Sequence, residues 1–253
     1  MDRSIWHLTL DPDARTLRWP CPFCQQVTLA ADKSTLHALE GKDSDNAKDH
    51  PDWEPEWSDF RFACLLRCAC GETVAAVGKQ GLTQEFVYDS NRQPVIEYLP
   101  RFEPLYFHPP LPIIAVPKGT PDAVAEQISR SFRSYWDDLE SCANSLRSAT
   151  EKLLDHVTIP QTAPDKNGTV RRLSLAQRLA VFGQNEQQLS ATLSAVRVLG
   201  NVGSHSGELT REDLLDAYEI IEHALEEIIL KKSKRLAQIA TEITHRNKPR
   251  SQT

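Results

Sequence analysis

The stretch HPPLPIIAVPKGTP, residues 108–121, holds five prolines in fourteen positions and divides the chain. Proline fixes φ and donates no backbone N–H, so this segment reads as a stiff, extended connector. Its apolar residues Ile113, Ile114 and Val116 are expected to tack it onto a neighbouring surface. Thirteen of the 16 prolines lie at or before Pro121, and only Pro160, Pro164 and Pro249 follow. Proline-dense sequence does not hold long helices, so the first half is expected to be loops and short strands. The second half is expected to be helical, which makes the chain α+β.

Working outward, 253 residues exceed the usual single-domain size and suggest one large domain or two small ones. With 40% hydrophobic and 25% charged residues the chain can bury a real core. Mean hydropathy is −0.44 and no apolar run approaches the length of a membrane span. The opening MDRSIWHLTLDPDAR has no basic region followed by an apolar stretch, so no secretory signal is expected. The net charge of −6 is uneven. From Lys231 onward seven Lys/Arg face the single acid Glu242, whereas Glu40–Asp59 carries eight acids and two lysines. A basic tail on an acidic body argues against a broad nucleic-acid surface. No internal repeat is found.

The helical half is read from its caps and stripes. Thr120-Pro121 is an N-cap with Pro at the first helical position. Val124, Ile128, Phe132, Tyr135, Leu139, Cys142, Leu146, Ala149, Leu153 and Val157 then recur at spacings of three and four, predicting one long helix. Residues 158–172, TIPQTAPDKNGTVRR, read as a loop. Leu173–Phe182 and Asn185–Leu199 read as two further helices, the second weakened or ended by Gly200, Gly203 and Gly207. Thr210-x-x-Asp213 is a capping box opening a last helix with the stripe Leu214, Ala217, Tyr218, Ile221, Leu225 and Ile228, extending toward Ile243. Helices with one apolar face each must pack together, and an antiparallel bundle is the economical arrangement.

Five of the six cysteines fall in the first 70 residues. Cys21-Pro-Phe-Cys24 has the composition of a zinc knuckle, and FACLLRCACGET offers the matching pair. Cys68 and Cys70 are favoured because Gly71 supplies the turn. Cys64 lies in an apolar strand pattern as a small core residue, with the role of substitute ligand as its alternative. Four thiolates leave no open position, so the zinc is expected to be structural. The acidic insertion 49–59 suits a basic partner or a Trp-anchored flap. Cys142 is expected in the core.

One constellation could do chemistry. Arg197, Asn201 and His205 fall at i, i+4 and i+8 and share one face if the helix runs through Gly200 and Gly203. An arginine that binds phosphate and a histidine that moves a proton suffice for metal-free RNA cleavage. The structural alternative is that Asn201 and His205 cap a helix end while the glycines allow close packing. Arg147 and Glu151 form an i,i+4 pair that is either a surface ion pair or a buried polar cluster reaching Asn201 or His205.

The order of these motifs, zinc knuckles, then RSATEKLL (147–154), then RVLGNVGSH (197–205), resembles a bacterial family of domains of unknown function. Its members occur alone, often with a zinc ribbon, or fused to type I restriction-enzyme subunits and other defence proteins. That family is similar to the HEPN helical bundles, many of them metal-independent RNases paired across a dimer. Here Gly200 rather than an arginine precedes Asn201, a departure that fits a HEPN-like scaffold used for binding.

The expected organisation is therefore a zinc-ribbon β-rich domain over 1–107, a connector over 108–119, a HEPN-like antiparallel helical bundle over 120–243 and a basic tail over 244–253. The expected function is a cytoplasmic binding or regulatory module of a bacterial defence or stress system, dimeric through the bundle. Its partner would be a protein or RNA, with structural zinc, no small-molecule cofactor and no membrane. The alternative is an endoribonuclease using Arg197, Asn201 and His205.

Overall fold

The computed structural model describes residues 2–88, 92–202 and 209–246. The chain is α+β and forms two compact units, one of Met1–Ile113 with Phe132–Asp138, the other of Ile114–Ser131 with Leu139–Thr253.

The first unit is built on an antiparallel sheet of four strands in the order β1-β2-β3-β4: β1 Leu29–Glu40, β2 Phe60–Cys68, β3 Thr73–Tyr88 and β4 Pro94–His108. In β2 the residues alternate strictly, with Phe62, Cys64, Leu66 and Cys68 buried and Arg61, Ala63, Leu65 and Arg67 exposed. That period of two is what a sheet with one buried face demands. The buried face carries Leu29, Leu66, Val74, Ala76, Phe102 and Phe107. Against Phe107 stack Trp19, at 5.2 Å between ring centroids, and Trp136, at 4.9 Å.

The strands are long, not short as the proline content suggested. Pro94, Pro100 and Pro104 all lie in β4, an edge strand of the sheet. An edge strand tolerates proline because one side of its ladder is unpaired. The acidic insertion after β1 forms a short helix, α1 (Lys42–Ala47), and a 3-10 turn at Pro55–Trp57. Trp57 is half exposed there, while Trp53 is more sheltered.

The second unit is mainly helical. Where the stripe predicted one helix there are two, α2 (Asp122–Ser134) and α3 (Leu139–His156). The chain breaks after Ser134, whose carbonyl accepts from Asp138 N–H at 2.8 Å. Tyr135 and Trp136 are buried with Trp6 in the first unit. The apolar spacing of three and four continues across the break, which is why periodicity alone does not reveal it.

The predicted loop contains a hairpin, β5 (Thr162–Pro164) paired with β6 (Val170–Arg172), turning through Gly168 at φ +80°. Next come α4 (Leu175–Phe182), α5 (Gln187–Val202) and α6 (Arg211–Ile228). Both α4 and α6 open on capping boxes, Ser174 with Gln177 and Thr210 with Asp213. α3, α5 and α6 pack through Leu146, Leu153, Leu193, Val196, Leu214, Tyr218 and Ile221. The last helix is also interrupted: Lys231 takes a left-handed φ of 51° and starts a separate α7 (Lys232–Arg246). Cys142 is buried and lies 3.2 Å from the Tyr218 hydroxyl, which donates to Ser131 Oγ. Among the described residues no helix is long and apolar enough to cross a membrane.

Candidate metal centre and the helical motif face

The four cysteines Cys21, Cys24, Cys68 and Cys70 converge, with all sulfurs within 4.8 Å of one another. Two backbone devices place them. After Cys21-Pro-Phe-Cys24 the chain turns at Gln25, in the left-handed region at φ 60°, and Gln25 N–H donates to Cys21 O at 2.9 Å. In the matching turn Gly71 takes φ +95°, and the Gly71 amide donates to Cys68 O at 3.0 Å. Pairing of Leu29 with Cys68 then sets the first knuckle beside the second.

The Cys21–Cys70 sulfurs lie 3.9 Å apart and the Cys24–Cys68 sulfurs 3.6 Å apart. Zinc bound tetrahedrally at about 2.3 Å from each sulfur requires sulfur pairs about 3.8 Å apart. The donor set therefore fits a metal ion. Amide hydrogens also aim at the thiols: Phe23 N–H at Cys21 Sγ, 3.4 Å, and Cys70 N–H at Cys68 Sγ, 3.5 Å. The Thr28 hydroxyl lies 3.0 Å from Cys68 Sγ. Such contacts to the sulfurs hold metal ligands in orientation.

The thiols are electrostatically unequal. Burial pushes the Cys21 thiol up. The Cys70 amide and the Thr28 hydroxyl bring Cys68 down to about 6. Cys70 gains from the Glu72 amide but stands beside the Cys68 sulfur, and is pushed up to about 12. Four crowded thiols do not all ionise without a cation among them.

Cys64, the substitute ligand, is not part of this cluster. It is buried in β2, and its thiol lies near Asp32 O at 3.9 Å and Leu65 O at 3.5 Å. Burial pushes its pKa up, as expected of an inert core thiol.

On the helical side, α5 continues through Gly200 and Asn201 to Val202. Arg197 and Asn201 therefore stand one turn apart on one face. Arg197 is half-buried, with an Nε that meets no acceptor among the described residues, and Asn201 is exposed. His205 lies outside the described residues, as do Gly203 and Gly207.

Arg147 and Glu151 form an ion pair along α3 at 3.5 Å, each side chain about one-third exposed. Gly200 sits directly against Arg147.

Sequence reasoning missed Arg178. It is 5% exposed, and it donates to Asp155 Oδ1 at 2.6 Å, to Ile159 O at 3.0 Å and to Glu151 O at 3.2 Å. This one side chain fastens α4 to the C-terminal end of α3. Burial alone would raise the Asp155 carboxyl, but the Gln161 amide, Arg178 and Lys152 outweigh it and hold the group below its ordinary value. In the sequence RLSLAQRLA an arginine resembles any surface helix residue, so no local signal marks it.

Compared with known families, residues 12–107 match the model described as Domain of unknown function (DUF8608), and residues 129–246 match that described as Domain of unknown function (DUF4145). Neither a curated protein nor a solved structure matches the chain. The two family matches cover the sheet with its four-cysteine cluster and the helices with their paired motifs, respectively.

Proposed function

We propose that this protein is a non-catalytic binding and regulatory module whose sheet is fixed by structural zinc and whose helical unit associates with a second copy. The observation that carries the reading is α7. It is amphipathic and, among the described residues, buries none of its own, leaving Leu236 and Ile239 exposed at 58% and 40% on one face. A helix that leaves its apolar face uncovered is suited to lie against another chain.

Zinc is the favoured ion because four thiolates at tetrahedral spacing suit it and leave no position for substrate. Cysteines that form no disulfide also fit a reducing cytoplasmic setting. The bacterial defence or stress context rests on the resemblance carried by RSATEKLL and RVLGNVGSH. A protein ligand is favoured over RNA because the body of the chain is acidic. The test is the solution mass of the full chain by light scattering. The wild type is expected to be a dimer and Leu236→Glu/Ile239→Glu a folded monomer, whereas a monomeric wild type would remove the basis of the reading.

A second reading, a HEPN-type metal-independent endoribonuclease, is favoured by one observation: α5 carries Arg197 and Asn201 through Gly200 on a continuous face. Here Arg197 would hold the scissile phosphate, Asn201 would orient it and His205 would move the proton. Cleavage of a mixed RNA pool in EDTA, lost in His205→Ala, would establish it.

A further inference from the structure

We infer that the second unit holds a binding pocket for a phosphate monoester of nucleotide size, between α3, β6 and the start of α4. The pocket, of about 520 Å³, is lined by four cations, Arg147, Lys152, Arg172 and Arg178, against two carboxylates, Glu151 and Asp155. A surplus of positive charge in a concave site is out of character for a chain with net charge −6. Its volume falls within the range of small-molecule sites.

The cations divide into one that is committed and three that are not. Arg178 is locked by its 2.6 Å pair with Asp155 and by two carbonyls. Arg147 stands 3.5 Å from Glu151, and Lys152 3.7 Å from Asp155, both far longer than a charge-assisted hydrogen bond of about 2.8 Å. Arg172 is exposed and has no ion-pair partner among the described residues. The Nε of Arg147 and of Arg178 is buried away from solvent, so what these arginines turn toward the pocket is their charge rather than that donor. The Ser174 hydroxyl and the first turn of α4 complete the wall. The Ser174 side chain is spent on the capping box with Gln177, so what the helix start adds here is its positive dipole end. Arginines, a lysine and a helix N-terminus on one cavity are a donor set for a dianion.

The β6 strand supplies the internal control. Adjacent strand residues face opposite sides, and Arg171 is paired with Asp165 at 2.6 Å while Arg172 lines the pocket. The full chain would be titrated calorimetrically with inorganic phosphate, a nucleoside 5′-monophosphate and the parent nucleoside. Phosphate and nucleotide are expected to bind, the nucleotide tighter, and the nucleoside not to bind. Arg172→Ala and Lys152→Ala, both at exposed positions, are expected to weaken binding tenfold or more without altering the circular dichroism. Arg171→Ala is expected to leave it unchanged. No binding of phosphate or nucleotide at millimolar concentration would overturn the assignment, and so would equal losses in the Arg171 and Arg172 variants. Nucleoside binding as tight as nucleotide binding would overturn it too.

Discussion

Gly200 of α5 rests on Arg147 of α3: a Cβ built on Gly200 would stand 2.8 Å from Arg147 Cβ and 2.9 Å from its Cδ. Ala143 O would lie 3.3 Å away on the same side. The two helices approach as closely as they do because this position has no side chain. The Arg147–Glu151 pair is thereby seated over the α3–α5 contact.

Replacing this glycine makes two terms compete. In an exposed helix Gly→Ala stabilises by about 1 kcal/mol through propensity. Here the Cβ and the carbonyl it meets belong to α3 backbone geometry and cannot swing away, and overpacking costs about 1–3 kcal/mol. Gly200→Ala is expected to destabilise the second unit by about 1 kcal/mol, and Gly200→Val by more. Denaturant unfolding followed by helical circular dichroism checks the sign; a stabilised Ala variant would show that the helices are not held at this distance.

Features held by residues close together in the chain were legible in the sequence, and those held by distant residues were not. The Thr210/Asp213 box was legible because its two hydrogen bonds lie within four residues, and the structure has both. The cysteine pairs were legible because each knuckle is fixed by its own turn, even with 43 residues between them. The breaks at 135–138 and at Lys231 were not, since Phe132, Tyr135 and Leu139 keep helical spacing across a gap that is not helical. The hairpin at 162–172 was hidden because its strands are three residues long and largely exposed, leaving no alternating pattern. Arg178 was hidden because its burial depends on Asp155 and Ile159, far away in sequence.

Metal content distinguishes the cysteines. The purified chain is expected to carry one zinc per molecule by elemental analysis, retained in Cys64→Ala and lost in Cys68→Ala. Chelation is expected to lower the unfolding temperature of the sheet and shift the fluorescence of Trp19, which is buried two residues before Cys21. The free energy of a structural zinc site enters folding directly, so the helical signal is expected to persist while the sheet loosens. Equal zinc in the Cys68→Ala chain would place the ion elsewhere.

Gly78 sets a second close approach. A Cβ there would lie 2.1 Å from Glu103 O and 2.8 Å from both Phe62 Cε1 and Pro104 Cα, at the point where the β3–β4 register shifts. Backbone cannot yield by such an amount without breaking the ladder. Gly78→Ala is expected to disrupt the β3–β4 pairing, read as lost amide protection in hydrogen exchange over residues 75–82. Protection equal to the wild type would mean that the bulge relaxes freely. Gly81, whose added Cβ would meet nothing within 4 Å, is the matched control.

The Asp155–Arg178 pair gives the helical unit its dependence on acid. Because the Asp155 carboxyl is held below its ordinary value of 3.8 in the folded chain, its contribution is fully present above that value. It is lost as pH falls through the lower folded value, where the carboxylate takes up a proton. Asp155→Asn is therefore expected to destabilise the unit at neutral pH by about 2 kcal/mol, the worth of a hydrogen bond to a charged group. The gap between the variant and the wild type should narrow as pH falls below 3.8. Arg178→Ala is expected to cost more, about 3–5 kcal/mol, because it also strands the Glu151 and Ile159 carbonyls and leaves a partly buried carboxylate without its cation. Urea unfolding of the three proteins between pH 3 and pH 7 checks both statements. A difference between wild type and Asp155→Asn that stays constant across that range would show that the carboxylate's charge does not contribute to the joint.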